Sequence, residues 1–217
     1  MNIRIFRKKT EYDLVKRTKA DNYSFLSNNC CKKGQTVIVG DSITEIFNMD
    51  LFAPYTGKTG LHVYNRGISG DTSDRLLERF YDNVLTIEPK NMVLLIGTND
   101  LTINASAEYV ADNIEKMLDL SLESCPDMSI FLQSVYPVEY KNKKKNLEII
   151  KLNEILSRLC NRKNITFIDL SERLTDDKGG LNMAYTYDGL HPNARGFKVI
   201  ADEILRYLYS EKQYEQV

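Results

Sequence analysis

Five short apolar runs, each followed by a stretch with helical spacing, constrain the fold of this 217-residue chain more than any other feature. The runs are Thr36–Val39, Leu61–Asn65, Met92–Ile96, Ser129–Ser134 and Thr166–Asp169, rich in Val, Ile, Leu and Phe. They do not alternate strictly with polar residues, as expected of parallel strands covered on both faces. Helices are expected near 43–50, 72–85, 106–123, 144–161 and 196–209. Within the third, Val110, Ile114, Met117 and Leu118 form one stripe; the last repeats the pattern with Phe197, Ile200, Ile204 and Leu208. Strands alternating with helices predict an α/β protein, a three-layer α/β/α sandwich around a central parallel five-stranded sheet. In such sheets, function gathers in the loops beyond the carboxyl ends of the strands.

The composition admits this fold and narrows the partners. Hydrophobic residues make up 42% and charged residues 27%, enough to bury a core and too apolar for a disordered chain. With 29 basic and 30 acidic residues the net charge is −1, so no global field draws nucleic acid or an anionic membrane. No apolar run approaches the ~20 residues that span a bilayer, so no membrane insertion is expected. The basic start, Met1 to Lys9, lacks the apolar core of a secretory signal. Cys30, Cys31, Cys125 and Cys160 fit neither a disulfide framework nor a zinc pattern, which leads to reduced thiols and a cytoplasmic location. Residues 1–35 carry no strong period and are expected to form a short helix around 11–20 and an irregular lead-in packed on the 36–217 domain. The run Tyr140 to Asn146 holds four lysines, which suits a solvated loop or, less commonly, a patch for an acidic substrate.

Four segments fall where active-site loops belong. Gly40-Asp41-Ser42 follows the first strand, and Asn65-Arg66-Gly67-Ile68-Ser69-Gly70-Asp71 the second. Gly97-Thr98-Asn99-Asp100 follows the third, and Asp188-Gly189-Leu190-His191 precedes the last helix. Ester hydrolysis needs a nucleophile, a base, a group orienting that base, and donors for an oxyanion. A serine at a strand-to-helix turn has an exposed hydroxyl beside backbone N–H groups, which suits a nucleophile. Each residue also has a structural reading. Ser42 and Asp41 are both favoured helix caps. Gly67 and Gly70 suit turns with positive φ, and Gly67 is assigned to that role alone. Asp100 is left as structural, and His62 as a core or edge residue.

Together and in this order, the four segments resemble the SGNH (GDSL-type) esterase and lipase superfamily. The likeness extends over about residues 36 to 208, and is greatest to its bacterial small acylesterases and the platelet-activating-factor acetylhydrolase-like branch. The resemblance implies a flavodoxin-like sandwich, with Ser42 as nucleophile and Asp188 and His191 completing a triad. It also implies an oxyanion hole made by the Ser42 and Gly70 N–H groups and the Asn99 side-chain amide. No cofactor or metal is implied. The substrate expected is a small-molecule ester, preferably a short acyl, above all acetyl, ester of a carbohydrate. A lysophospholipid or thioester substrate, a non-catalytic flavodoxin-like binding module and a catalytically idle relative are the alternatives, and a homodimer is left open. Tyr185 and Tyr187 either wall the pocket or pack beneath the last loop. A free imidazole near pKa 6.5 predicts activity rising through about pH 6–7.5.

Overall fold

The computed structural model describes residues 2–54 and 60–210, and only the backbone of residues 2–12. The end of the 36–217 domain, from 211 onward, therefore lies outside the described residues. A long helix, α1 (Asn2–Asn29), leads into β1 (Thr36–Gly40). Two single turns, α2 (Ser42–Glu45) and α3 (Met49–Phe52), precede β2 (Val63–Gly67), and α4 (Ser73–Val84) precedes β3 (Asn91–Leu95). Then come α5 (Thr98–Thr102), α6 (Ala107–Ser124), β4 (Ser129–Gln133), α7 (Lys143–Lys163) and β5 (Thr166–Ile168). The chain closes with α8 (Ser171–Leu174) and α9 (Ala194–Ser210).

All five strands are parallel in the order β2-β1-β3-β4-β5. Their pleat sorts the core into two layers. Val37, Val39, Met92, Leu94 and Leu132 face α4, α6 and α7, where they meet Leu76, Phe80, Ile114 and Leu156. Ile38, Val93, Leu95, Phe131 and Ile168 face α2, α3 and α9, where they meet Ile43, Phe197 and Ile204. Each fully buried side chain of this size stabilises by about 1.5–3 kcal/mol, which is why β1, β3 and β4 read as nearly continuous apolar runs. The Phe47 and Phe197 rings stack at 5.0 Å and join the α2 end to α9.

The helix expected over 43–50 is two turns instead. The Phe47 N–H returns to the Thr44 carbonyl, and Asn48 opens α3. The expected helix over 11–20 is part of a 28-residue one. His62 lies outside the strand, exposed, with its ring edge-on to Tyr64 at 4.9 Å.

Gly67 differs from its expected role. Only Gly70 of that segment has positive φ, at +71°, whereas Gly67 ends β2 in strand geometry. Its constraint is close approach. A Cβ there would sit 2.3 Å from the Glu45 N and 2.7 Å from its Cα, so α2 could not lie over β2. Asn65 secures the same contact: its amide donates to the Thr44 carbonyl at 2.7 Å and the Phe47 carbonyl at 3.1 Å, and its Oδ1 accepts the Gly67 N–H.

Candidate active site

Gly40 pairs with Gly67 on one side and Leu95 on the other, so the loops after β1, β2 and β3 leave the sheet side by side. The chain turns in opposite directions from β1 and β3, which makes this crevice the switch point of the sheet. Ser42, Gly70 and Asn99 belong to these three loops.

Ser42 is the first residue of α2, and the cap is its neighbour. The Asp41 carboxylate accepts the Ile43 N–H at 3.0 Å, leaving the serine hydroxyl free of capping. Ser42 Oγ stands 3.0 Å from His191 Nε2, 149 residues along the chain. On the far side of the ring, His191 Nδ1 lies 2.7 Å from Asp188 Oδ2. The second Asp188 oxygen accepts the backbone N–H groups of His191 at 2.8 Å and Leu190 at 2.9 Å. Partial burial works to raise the Asp188 pKa, but the imidazole and these two N–H groups outweigh it and hold the carboxyl well below the usual carboxylate range.

Thr186, which sequence reasoning missed, organises the Asp-x-x-His turn. Its buried hydroxyl lies 2.8 Å from the His191 carbonyl and 3.0 Å from the Gly189 N–H, donating to the first and accepting from the second. Tyr185 packs beneath this loop, where its carbonyl accepts the Asn193 N–H, while Tyr187 is 89% exposed.

Two backbone donors at this crevice face no acceptor among the described residues. Among the described residues, neither the Ser42 N–H nor the Gly70 N–H makes a hydrogen bond. The Asn99 amide donates to the Asp71 carbonyl at 2.9 Å and lies a longer 3.3 Å from Asp41 Oδ2. Asp100, beside it, caps α4: its carboxylate accepts the Ser73 N–H at 3.0 Å and the Ser73 hydroxyl at 2.6 Å.

A buried arginine braces these loops. Arg79 Nε donates to Asp71 Oδ2 at 2.8 Å, and its guanidinium reaches the Arg66 carbonyl at 2.9 Å and the Gly40 carbonyl at 3.3 Å. Arg79 and Asn83 sit on the helical stripe of Leu76 and Phe80, and both are buried. A charge and an amide on an otherwise apolar stripe mark buried polar residues, a signal that the sequence reading passed over.

Burial pushes the Asp41 carboxyl up to about 7; the Ile43 N–H and His191 oppose the rise, and Asp71 and Asp100 add to it. An aspartate in an unfolded chain titrates near 3.9. Between about pH 4 and 7 the unfolded chain therefore releases this proton while the folded chain keeps it, and stability falls as pH rises. Asp41→Asn removes that slope. The wild-type melting temperature, relative to that of Asp41→Asn, is expected to be lower at pH 8 than at pH 5. A difference unchanged between the two pH values would show that Asp41 is already ionised at pH 5.

The family model described as the GDSL-like lipase/acylhydrolase family matches residues 38–199. The chain is 30% identical over 197 residues to the N-acylneuraminate cytidylyltransferase of Escherichia coli O18:K1:H7, covering 87% of this chain and 45% of that protein. It thus spans less than half the length of the curated relatives of that name. To the acetylxylan esterase of Geobacillus stearothermophilus it is 25% identical over 157 residues, covering 68% of this chain and 72% of that one. A solved structure from Streptococcus pneumonia, named for platelet activating factor, shares the fold. Its TM-score is 0.87 at 24% identity, over 96% of this chain and all of that one.

Proposed function

This chain belongs to the GDSL-like lipase/acylhydrolase family, and we propose that it is a carboxylic ester hydrolase with Ser42, His191 and Asp188 as its catalytic triad. The observation that carries this reading is the continuous relay from Ser42 Oγ through the His191 ring to Asp188, at 3.0 and 2.7 Å. Membership of a hydrolase family supports this reading over the flavodoxin-like binding module.

His191 Nε2 takes the Ser42 proton as Oγ bonds to the ester carbonyl carbon. Asp188 fixes the remaining ring proton on Nδ1 and stabilises the imidazolium. The carbonyl oxygen, now negative, takes the Ser42 and Gly70 N–H groups and one N–H of Asn99. That second Asn99 hydrogen is held only by the 3.3 Å contact to Asp41, the weaker of its two bonds and the easier to surrender. The C–O bond to the leaving group breaks, His191 protonates the alcohol, and a water deprotonated by the same ring releases the acid.

The substrate class follows less from the triad than from its setting. Asp188 and His191 side chains are about half and one third exposed, an open rim suited to a polar ester with a short acyl group. The acetylxylan esterase relative is named for an acetylated carbohydrate, and the longer relatives for N-acylneuraminate, an acylated sugar. We therefore assign an acetyl ester of a carbohydrate as substrate, in the cytoplasm, where four free thiols fit a reducing setting. A panel of p-nitrophenyl esters from acetyl to octanoyl, followed by acetylated sugars, tests this. Acetyl is expected to give the highest kcat/KM, and a strong preference for octanoyl would replace the carbohydrate with a lipid.

A further inference from the structure

The first helix presents its polar side to the domain. Lys16, Lys19, Tyr23 and Ser27 recur every three or four residues and so share one face of α1. The Tyr23 hydroxyl donates to the Gly67 carbonyl at 3.1 Å, and the Ser27 hydroxyl to the Asn83 carbonyl at 3.2 Å. Lys19 pairs with one oxygen of Glu45, whose other oxygen accepts the Ser69 N–H. Lys16, only 8% exposed, donates from Nζ to the Gly70 carbonyl at 2.5 Å and stands 4.0 Å from Asp71 Oδ1. Leu14, Val15 and Phe25, on the same helix, stay exposed.

These contacts converge on a β-turn. The Asp71 N–H closes Ile68–Asp71 by donating to the Ile68 carbonyl at 3.1 Å, with Gly70 third at φ +71°. Ser69 has no positive φ, so the turn is type II and not its type I′ counterpart. Types I and II differ by roughly a half-turn of the peptide between the second and third residues. Here that peptide carries the Gly70 N–H, and its rotation decides which way the donor points.

We propose that Lys16 is a positioning residue for the Gly70 N–H. It holds the carbonyl after the critical peptide while Glu45, steadied by Lys19, holds the N–H before it. Both flanks are pinned, and α1 becomes part of the reacting unit. The inference rests on the reading of Gly70 as an oxyanion donor. Packing alone does not explain the residue, because an apolar chain would fill the same space without the desolvation that an ammonium suffers. That desolvation lowers the Lys16 pKa, against the opposing pull of Asp71.

The test is hydrolysis of p-nitrophenyl acetate by the full chain carrying Lys16→Met, Lys16→Arg or Tyr23→Phe. Lys16→Met is expected to lose about 10- to 100-fold in kcat with KM little changed, and Lys16→Arg to recover most of it. Inactivation of Lys16→Met by a fluorophosphonate should slow in parallel, since the phosphonyl oxygen uses the same donor. Tyr23→Phe, which loosens the same helix without touching the turn, should lower the melting temperature and leave kcat alone. Wild-type kcat in a folded Lys16→Met overturns the proposal. So does an equal loss of kcat in Tyr23→Phe, which would reduce α1 to packing. If Lys16→Met does not fold, Lys16→Gln replaces it, and kcat equal to that of Lys16→Arg is then the overturning result. A wild-type chain that neither hydrolyses the ester nor labels at Ser42 would overturn the esterase reading itself.

Discussion

Ser42→Ala is expected to lower kcat for ester hydrolysis by about 10⁴- to 10⁶-fold while leaving the protein folded. The two halves of that result have separate structural origins. The hydroxyl has one partner among the described residues, His191 Nε2, and the helix that starts at Ser42 is capped by Asp41 instead. Removing Oγ therefore breaks no cap, and the melting temperature should move little. A serine serving as a cap would behave in the opposite way, costing about 1 kcal/mol of stability and no rate. Labelling by a fluorophosphonate should vanish in the same variant. Retained activity or retained labelling would remove Ser42 from the chemistry.

Asp188→Asn should lose about 10⁴-fold in kcat, a larger effect than loss of a charge alone would give. The two backbone donors at one carboxylate oxygen, from His191 and Leu190, dictate how an asparagine would sit. Its carbonyl oxygen must take their place as acceptor, which turns the amide NH₂ toward His191 Nδ1. That nitrogen then has to accept, the ring proton moves to Nε2, and the face toward Ser42 can no longer receive a proton. The geometry survives and the tautomer is wrong. Steady-state kinetics and thermal unfolding of the same preparation check this, and activity within tenfold of wild type would contradict the assignment of Asp188.

The elements that apolar burial builds were legible in the sequence. All five strands lie within two residues of their expected starts, and β1, β3 and β4, which are covered on both faces, read as nearly unbroken apolar runs. The loops holding Ser42, Gly70, Asn99 and Asp188 followed from those strands. What escaped was whatever polar contacts decide. The length of α1 was hidden because Lys16, Lys19, Tyr23 and Ser27 face inward while Leu14 and Phe25 face out, the inverse of the usual pattern. The break between α2 and α3 was hidden because Ile43, Ile46 and Phe47 keep helical spacing through a turn that swings Phe47 onto Phe197. The supports of the site, Thr186, Arg79 and Glu45, act through hydrogen bonds to backbone of distant segments, and no local spacing announces such partners.

The inverted helix also bears on where this protein can be cut. The family match spans residues 38–199, so a fragment trimmed to its limits would keep Ser42, Gly70, Asn99, Asp188 and His191 and strands β2 to β5, with β1 short of its first two residues and α9 cut after its first turns. It would lose every contact that α1 makes with Gly67, Gly70 and Glu45. At the amino-terminal end the motif boundary and the working boundary differ by a whole helix, and an expression fragment or fusion designed on the motif alone would omit a support that lies upstream of the matched region.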